Sequence, residues 1–264
     1  MNHITIADGT VAYTTIAGDA SLPHLIFLHE GLGSTAMWGH FPQRLCAATS
    51  CPGLVYDRLG YGKSSAAPLP WGTRYLHTAA LRDLPQVIEQ TLPADAPYIL
   101  FGHSDGGSIA LIHGATRPPR LRGLITEAAH VFVEDITLAG IRDAVVAYEA
   151  GKLAGLARYH GDKTESVFRG WSDTWLDPAF AAWNIEALLP QIEAPLLVMQ
   201  GHDDQYGTPR QVRSIASHAH GPARETLLAD CGHTPHKEQA DAVLALAEDF
   251  IRSMTAATAR QSGS

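Results

Sequence analysis

The segment Gly102-His103-Ser104-Asp105-Gly106 sets a serine between two glycines in the pattern G-x-S-x-G, where the apolar run from Tyr98 gives way to a small-residue helix start. A serine hydroxyl attacks a carbonyl only if it stands clear of its neighbours. A sharp strand-to-helix turn, with glycines where a Cβ would clash, provides that clearance. Ser104 is therefore the candidate nucleophile. The turn also places it at a helix N-terminus, whose free N–H groups and dipole favour negative charge on a tetrahedral intermediate.

Two partners for Ser104 lie downstream. Pro195 to Gly201 reads as a buried parallel strand running into His202-Asp203-Asp204, which puts Asp204 at a strand's C-terminal edge as the candidate acid. Glu225 to Ala229 is a second strand, leading through Asp230-Cys231-Gly232 to His233 just before the closing helix, and His233 is the candidate base. Glu127, at the end of the expected strand Leu121 to Thr126, is the alternative acid, with Asp203 behind it. An anion site completes the set. Leu25 to Leu28 is a short apolar strand followed by His29-Glu30-Gly31-Leu32-Gly33-Ser34, so the N–H of Gly31 joins that of Asp105 as the two donors an oxyanion needs. Asp105 acts there through its backbone.

Four segments carry a resemblance that covers nearly the whole chain: HEGLGS at 29–34, YDRLGYGKS at 56–64, GHSDGG at 102–107, and the late GHDD and GHTPHKE at 201–204 and 232–238. In them, and in the chain order serine, aspartate, histidine, the sequence resembles the α/β-hydrolase superfamily. Glu30, in place of the commoner glycine after His29, resembles an esterase and lactonase-like subgroup with a Glu-Gly-Leu-Gly loop. The second segment looks like the superfamily's strand-four turn, so Asp57, Gly60 and Gly62 are read as structural. The resemblance implies hydrolysis of a small to medium carboxylic ester or lactone through an acyl-enzyme, with no cofactor. The alternatives are C–C bond cleavage in a diketone-type aromatic-degradation intermediate, or a non-catalytic ligand-binding module on the same scaffold.

The elements that must position these residues follow from alternating apolar runs and helical patterns, which predict an α/β fold: a mostly parallel twisted sheet flanked by helices. An opening hairpin fits residues 3–16 with its turn at Asp8-Gly9, and further strands fit 24–29, 53–57, 98–103, 121–127, 195–200 and 224–229. A final helix fits 235–253, with Val243, Leu246, Ala247 and Phe250 on one face. Residues 131–190 break the alternation between the sixth and seventh sheet strands and read as a helical cap. It divides the core into 1–130 and 191–254, and 255–264 is a flexible tail. In the cap, Leu138, Ile141, Val145 and Tyr148 make one apolar stripe, and Val167, Phe168, Trp171 and Trp175 another. The cap aromatics Trp171, Trp175 and Trp183, with His130, Phe132 and Tyr206, are the candidate substrate pocket.

Composition bounds the remainder. With 264 residues, 45% hydrophobic and 17% charged, the chain buries a large core. A formal charge of −8 without a Lys/Arg cluster excludes nucleic acid and anionic membrane surfaces as expected partners, leaving a small-molecule substrate and a monomer or homodimer. The start Met-Asn-His-Ile-Thr-Ile lacks a basic and apolar leader pattern, and no apolar stretch reaches a membrane span, so a cytoplasmic location is expected. Three cysteines, Cys46, Cys51 and Cys231, read as reduced structural thiols. The fourteen histidines include no metal-ligand spacing such as HExxH, and no metal is expected.

Overall fold

The computed structural model describes the backbone of residues 1–261 and the side chains of residues 1–254. Eight strands form one sheet: β1 (Asn2–Ile6), β2 (Gly9–Ile16), β3 (His24–Leu28), β4 (Gly53–Tyr56), β5 (Tyr98–His103), β6 (Leu121–Glu127), β7 (Leu196–Gly201) and β8 (Ala223–Leu228). Their order across the sheet is β1-β2-β4-β3-β5-β6-β7-β8. Pairs β1–β2 and β2–β4 are antiparallel, and every later pair is parallel. The expected strands are all present, shifted by a residue at some ends. The hairpin pairs Ile6 with Gly9, so its two-residue loop is Ala7-Asp8, one position before the expected reversal.

Successive residues of a strand point to opposite faces, and the central strands are apolar throughout because helices cover both faces. Ile26, Leu28, Leu100, Leu124 and Val198 belong to one buried cluster, while Leu25, Phe27, Ile99, Phe101, Ile125, Leu197 and Met199 belong to the other. The second face is closed by Phe41 and Leu45 of the helix Phe41–Thr49 and by Val243, Ala247 and Phe250 of the last helix. That last segment is interrupted. A short turn Pro235–Glu238 is followed by a break at Gln239 (φ −130°) before the helix Ala240–Gln261. The tail expected from residue 255 thus begins within this helix, and residues 262–264 lie outside the described residues.

Between β6 and β7 stands the helical insertion, with helices Asp135–Glu149 and Thr164–Leu176 as its main parts. Its two predicted stripes meet face to face: the Tyr148 and Phe168 rings stack with centroids 3.9 Å apart and planes 5° apart. Cys46, Cys51 and Cys231 are buried free thiols, and burial pushes the Cys46 thiol up to about 12. Among the described residues, no helix is long and apolar enough to cross a membrane.

Register fixes what comes next. Leu28 pairs with Gly102, His103 with Glu127, Glu127 with Met199, and Gly201 with Leu228. The loops after β3, β5, β6, β7 and β8 therefore leave one edge of the sheet side by side, the edge where open parallel sheets hold their ligands.

Candidate active site

Ser104 stands at the turn between β5 and the helix Asp105–Gly114, with φ +52° and ψ −118°. This backbone is uncommon for a residue with a Cβ and costs free energy, so the surroundings must enforce it. They do so by close approach. A Cβ on Gly106 would lie 1.9 Å from the Leu28 carbonyl oxygen, and one on Gly102 would lie 2.2 Å from the Gly106 carbonyl oxygen. Only glycine at both positions lets the turn pack onto β3. The Ser104 N–H donates to the Glu127 carbonyl at 2.8 Å, which ties the turn to β6 as well.

The loops after β7 and β8 bring the two predicted partners to this hydroxyl. His233 Nε2 lies 3.0 Å from Ser104 Oγ, and His233 Nδ1 lies 2.9 and 3.0 Å from the two oxygens of Asp204. A carboxylate accepts, so Nδ1 carries the proton and Nε2 is left free to take one from Ser104. Asp204 Oδ1 also accepts the Tyr206 N–H at 2.8 Å. Burial pushes the His233 imidazolium pKa down, but Asp204 outweighs burial and holds it above its ordinary value. Burial alone likewise raises Asp204, yet His233 and the Tyr206 N–H bring it below the ordinary carboxylate value. The His103 Nε2–H donates to the His233 carbonyl at 2.7 Å and fastens the loop. Asp203, the neighbouring carboxylate, is exposed beside His202.

Glu127 does not reach His233. Its Oε2 sits 2.8 Å from His236 Nδ1, and its Oε1 is buried without a partner.

A cavity of about 50 Å³ opens over Ser104. Of the residues singled out from the sequence, Gly31, Ser104, Asp105, His130, Trp171, Trp175, Tyr206 and His233 line it. Phe132 and Trp183 do not. Phe132 forms a backbone bridge to Asn184 under the Arg210 guanidinium, and Trp183 stacks on Phe180 with centroids 5.3 Å apart. Glu30, Leu32, Thr137 and Ile141 line the cavity without having been singled out as site residues. Ile141 lay in the apolar stripe of its helix, a signal that marks burial and not the cavity it borders. His130 is held by its Nε2–H, which donates to the Tyr206 carbonyl at 3.0 Å.

The N–H of Gly31 has no protein acceptor among the described residues, and that of Asp105, first in its helix, has no intrahelical one. Gly31 also leaves no room for a side chain, since its Cβ would lie 2.4 Å from the Trp171 ring. Behind Asp105, the Tyr75 hydroxyl donates to Oδ2 at 2.8 Å and itself accepts Trp175 Nε1–H at 2.7 Å. Among the described residues no group of three or more His, Cys, Asp or Glu side chains is placed to hold a metal ion.

Ser104, His233 and Asp204 thus stand as the nucleophile, base and acid of a serine hydrolase triad. The chain belongs to the alpha/beta hydrolase family, which it matches over residues 25–246. Among its relatives, a 2-succinyl-6-hydroxy-2,4-cyclohexadiene-1-carboxylate synthase from Enterobacter sp. (strain 638) is 26% identical, over 90% of this chain and 95% of that protein. The human serine hydrolase BPHL is 30% identical, over 58% of this chain and 54% of that one. In three dimensions the chain is similar to the crystal structure of the enol-lactonase from Burkholderia xenovorans LB400, with TM-score 0.72, 22% identity, and coverage of 95% of this chain and 100% of that one.

Proposed function

We propose that this chain hydrolyses a small to medium carboxylic ester or lactone through an acyl-enzyme on Ser104. The observation that carries the reading is the continuous path Ser104 Oγ to His233 Nε2, and His233 Nδ1 to Asp204, with Ser104 and His233 lining one cavity. In the first half-reaction Ser104 Oγ attacks the carbonyl carbon as its proton passes to His233 Nε2, with Asp204 stabilising the imidazolium. The N–H groups of Gly31 and Asp105 hold the oxyanion, as the Glu-Gly-Leu-Gly loop of the esterase and lactonase-like subgroup would. Collapse breaks the bond to the alcohol oxygen, which takes the proton from His233. Water then enters with His233 again as base, attacks the acyl carbon, and releases the acid and free Ser104.

In this reading residues 131–190 are a lid on a core made of 1–130 and 191–254, and Trp171, Trp175, Tyr206 and His130 face the substrate. A cavity of about 50 Å³ suits the reacting centre of a compact substrate. The enol-lactonase likeness supports a lactone as readily as an open ester.

The test is covalent labelling by a fluorophosphonate, with turnover of p-nitrophenyl acetate and a panel of five- and six-membered lactones. Wild type is expected to label and to turn over at least one compound. Ser104→Ala should do neither, with a loss on the order of 10⁴ or more in turnover. Equal turnover by a folded Ser104→Ala protein would falsify the mechanism.

A further inference from the structure

The orientation of one peptide group decides whether an oxyanion hole exists at Gly31. In a trans peptide the C=O and the following N–H point to opposite sides. The Gly31 N–H is therefore aimed by whatever holds the Glu30 carbonyl. Three donors hold it: His29 Nδ1–H at 2.8 Å, Arg58 Nη2–H at 2.7 Å and the Gly33 N–H at 3.2 Å. His29 is committed to this role by its other nitrogen. Nε2 accepts the Arg58 backbone N–H at 3.0 Å, and a backbone N–H can only donate, so the ring proton must sit on Nδ1.

Arg58 is the unusual member. It follows the β4 turn residue Asp57, only 4% exposed, in a segment whose pattern marks a structural bend. Its guanidinium lies over the Tyr61 ring, 4.3 Å from the centroid, and Arg58 borders a second cavity, not the one over Ser104. The same Nη2 that binds the Glu30 carbonyl is 3.6 Å from Asp105 Oδ2, the carboxylate also held by Tyr75. A buried guanidinium is costly unless its charge is paired, and here its partner is the side chain of the residue that offers the second oxyanion donor.

We propose that Arg58 is a positioning residue that pre-forms the oxyanion hole, pinning the Glu30 carbonyl and the Asp105 carboxylate together so that the N–H groups of Gly31 and Asp105 converge on one point. The inference rests on the acyl-transfer reading above. A planar guanidinium presents several donors at fixed angles, which a lysine ammonium cannot reproduce, so the device requires arginine and not merely positive charge. Without it the Glu30 carbonyl keeps only the His29 and Gly33 donors, and the 30–31 peptide is held less tightly in the orientation that aims the Gly31 N–H. The Gly31 N–H then reaches the oxyanion only in a fraction of molecules.

Two variants test this. Arg58→Lys keeps a cation beside Asp105, and the double variant Arg58→Met/Asp105→Asn removes both charges while leaving an acceptor for Tyr75 and the backbone N–H at 105. Each is assayed with p-nitrophenyl acetate and titrated with a trifluoromethyl ketone, whose adduct with Ser104 carries the oxyanion. Folding is verified by circular dichroism. Removal of one oxyanion donor costs roughly 10²–10³ in kcat, and misdirection of one is expected to cost roughly tenfold to a hundredfold, with KM little changed. Affinity for the ketone should fall by the same factor as kcat/KM. A merely structural arginine would lower thermal stability and leave both ratios at wild-type values in the folded fraction. Either folded variant with kcat and ketone affinity within about twofold of wild type overturns the proposal. If instead wild type shows no Ser104-dependent turnover, the acyl-transfer reading fails first and the proposal falls with it.

Discussion

His103 stands between two carboxylate–imidazole pairs: its ring centroid is 5.3 Å from that of His233, bonded to Asp204, and 5.0 Å from that of His236, bonded to Glu127. Each pair joins a carboxyl group to an imidazole Nδ1 at a similar distance, but their electrostatics are opposite. Asp204 accepts a second donor, the Tyr206 N–H, and its pair is polarised toward carboxylate and imidazolium. Glu127 has no second donor and is wholly buried. Burial drives its carboxyl up to about 8 and the His236 imidazolium down to about 3. Both shifts favour the uncharged forms, a carboxylic acid whose O–H donates a hydrogen bond to a neutral His236 Nδ1. A neutral acid cannot stabilise an imidazolium, which is why only Asp204 suits the base.

This contrast sets a pH-dependent stability difference. Unfolded, Glu127 ionises near its ordinary value of 4.5, while folded it keeps its proton up to about 8. Across that window the unfolded state binds fewer protons, so the Glu127 contribution to stability declines as pH rises. Glu127→Gln keeps a donor toward His236 and removes the ionisable group. The variant should match wild type below pH 4.5 and gain on it steadily toward pH 8, as thermal melts in a pH series would show. A stability difference that is flat with pH would refute the neutral assignment. Its turnover should stay near that of wild type.

Asp204→Asn is expected to behave in the reverse manner. It should lose on the order of 10⁴ in turnover, because the imidazole loses both its tautomer and its counter-charge. His233 works as a neutral base, so kcat/KM of wild type should rise with pH through a midpoint above 6.5, the ordinary value from which Asp204 lifts it. The pair's contribution to stability is greatest between 3.8 and 6.5: it is lost as pH climbs through the raised His233 value and as pH falls through the lowered Asp204 value. A pH–rate profile of the residual Asp204→Asn activity should show the midpoint displaced downward. An unmoved midpoint would mean that some other group sets it.

Gly31→Ala tests the loop from its steric side. The added methyl would lie 2.4 Å from the Trp171 ring, so either the ring or the loop must move. Movement of the loop misplaces the N–H, and we expect loss of roughly 10²-fold or more in kcat. Pairing it with Trp171→Ala makes room for the methyl. Partial recovery of kcat in that double variant would confirm that the clash, and not the methyl itself, does the damage.

How much of this was legible in the sequence depends on the range of each interaction. The elbow around Ser104 is local: its glycines and its apolar approach lie within one segment, and their reason, contact with β3, needs only the fold. The choice of acid is not local. Glu127 and Met199 are paired in register, so the loops after β6 and β7 leave the same edge, and His233 and His236 are three residues apart. Which histidine meets which carboxylate is settled by side-chain direction in the 229–239 loop, which no spacing encodes. Arg58 was hidden for a similar reason. Its turn is recognisable, but its burial, the sign that it does more than bend the chain, appears only when the loop after β3 packs on it. The cap shows the limit most plainly. Periodicity marks Trp171, Trp175 and their stripe as inward-facing, yet inward means toward the cavity for some rings and toward other rings for the rest.

The three cap tryptophans supply the prediction about substrate choice. Trp171 and Trp175 line the cavity above Ser104, whereas Trp183 is packed on Phe180 and stands 5.9 Å, centroid to centroid, from Trp175. Truncating a ring that touches the substrate removes apolar contact worth about 1.5–3 kcal/mol without disturbing the hydroxyl's activation. Trp171→Ala should therefore change the ratio of kcat/KM for a bulky ester to that for an acetyl ester, with the acetyl rate least affected. Trp175→Ala should act on both counts, since its Nε1–H also supports Tyr75 and through it Asp105, so a fall in acetyl turnover is expected as well. Trp183→Ala should leave the ratio at the wild-type value and lower the melting temperature, because a large buried ring is lost from packing alone, at a cost of about 3–5 kcal/mol. The measurement is the same ester pair in all three variants beside their thermal melts. A changed ratio in Trp183→Ala, or an unchanged one in Trp171→Ala, would show that the substrate reaches the reacting centre by a side of the cap other than the one these rings enclose.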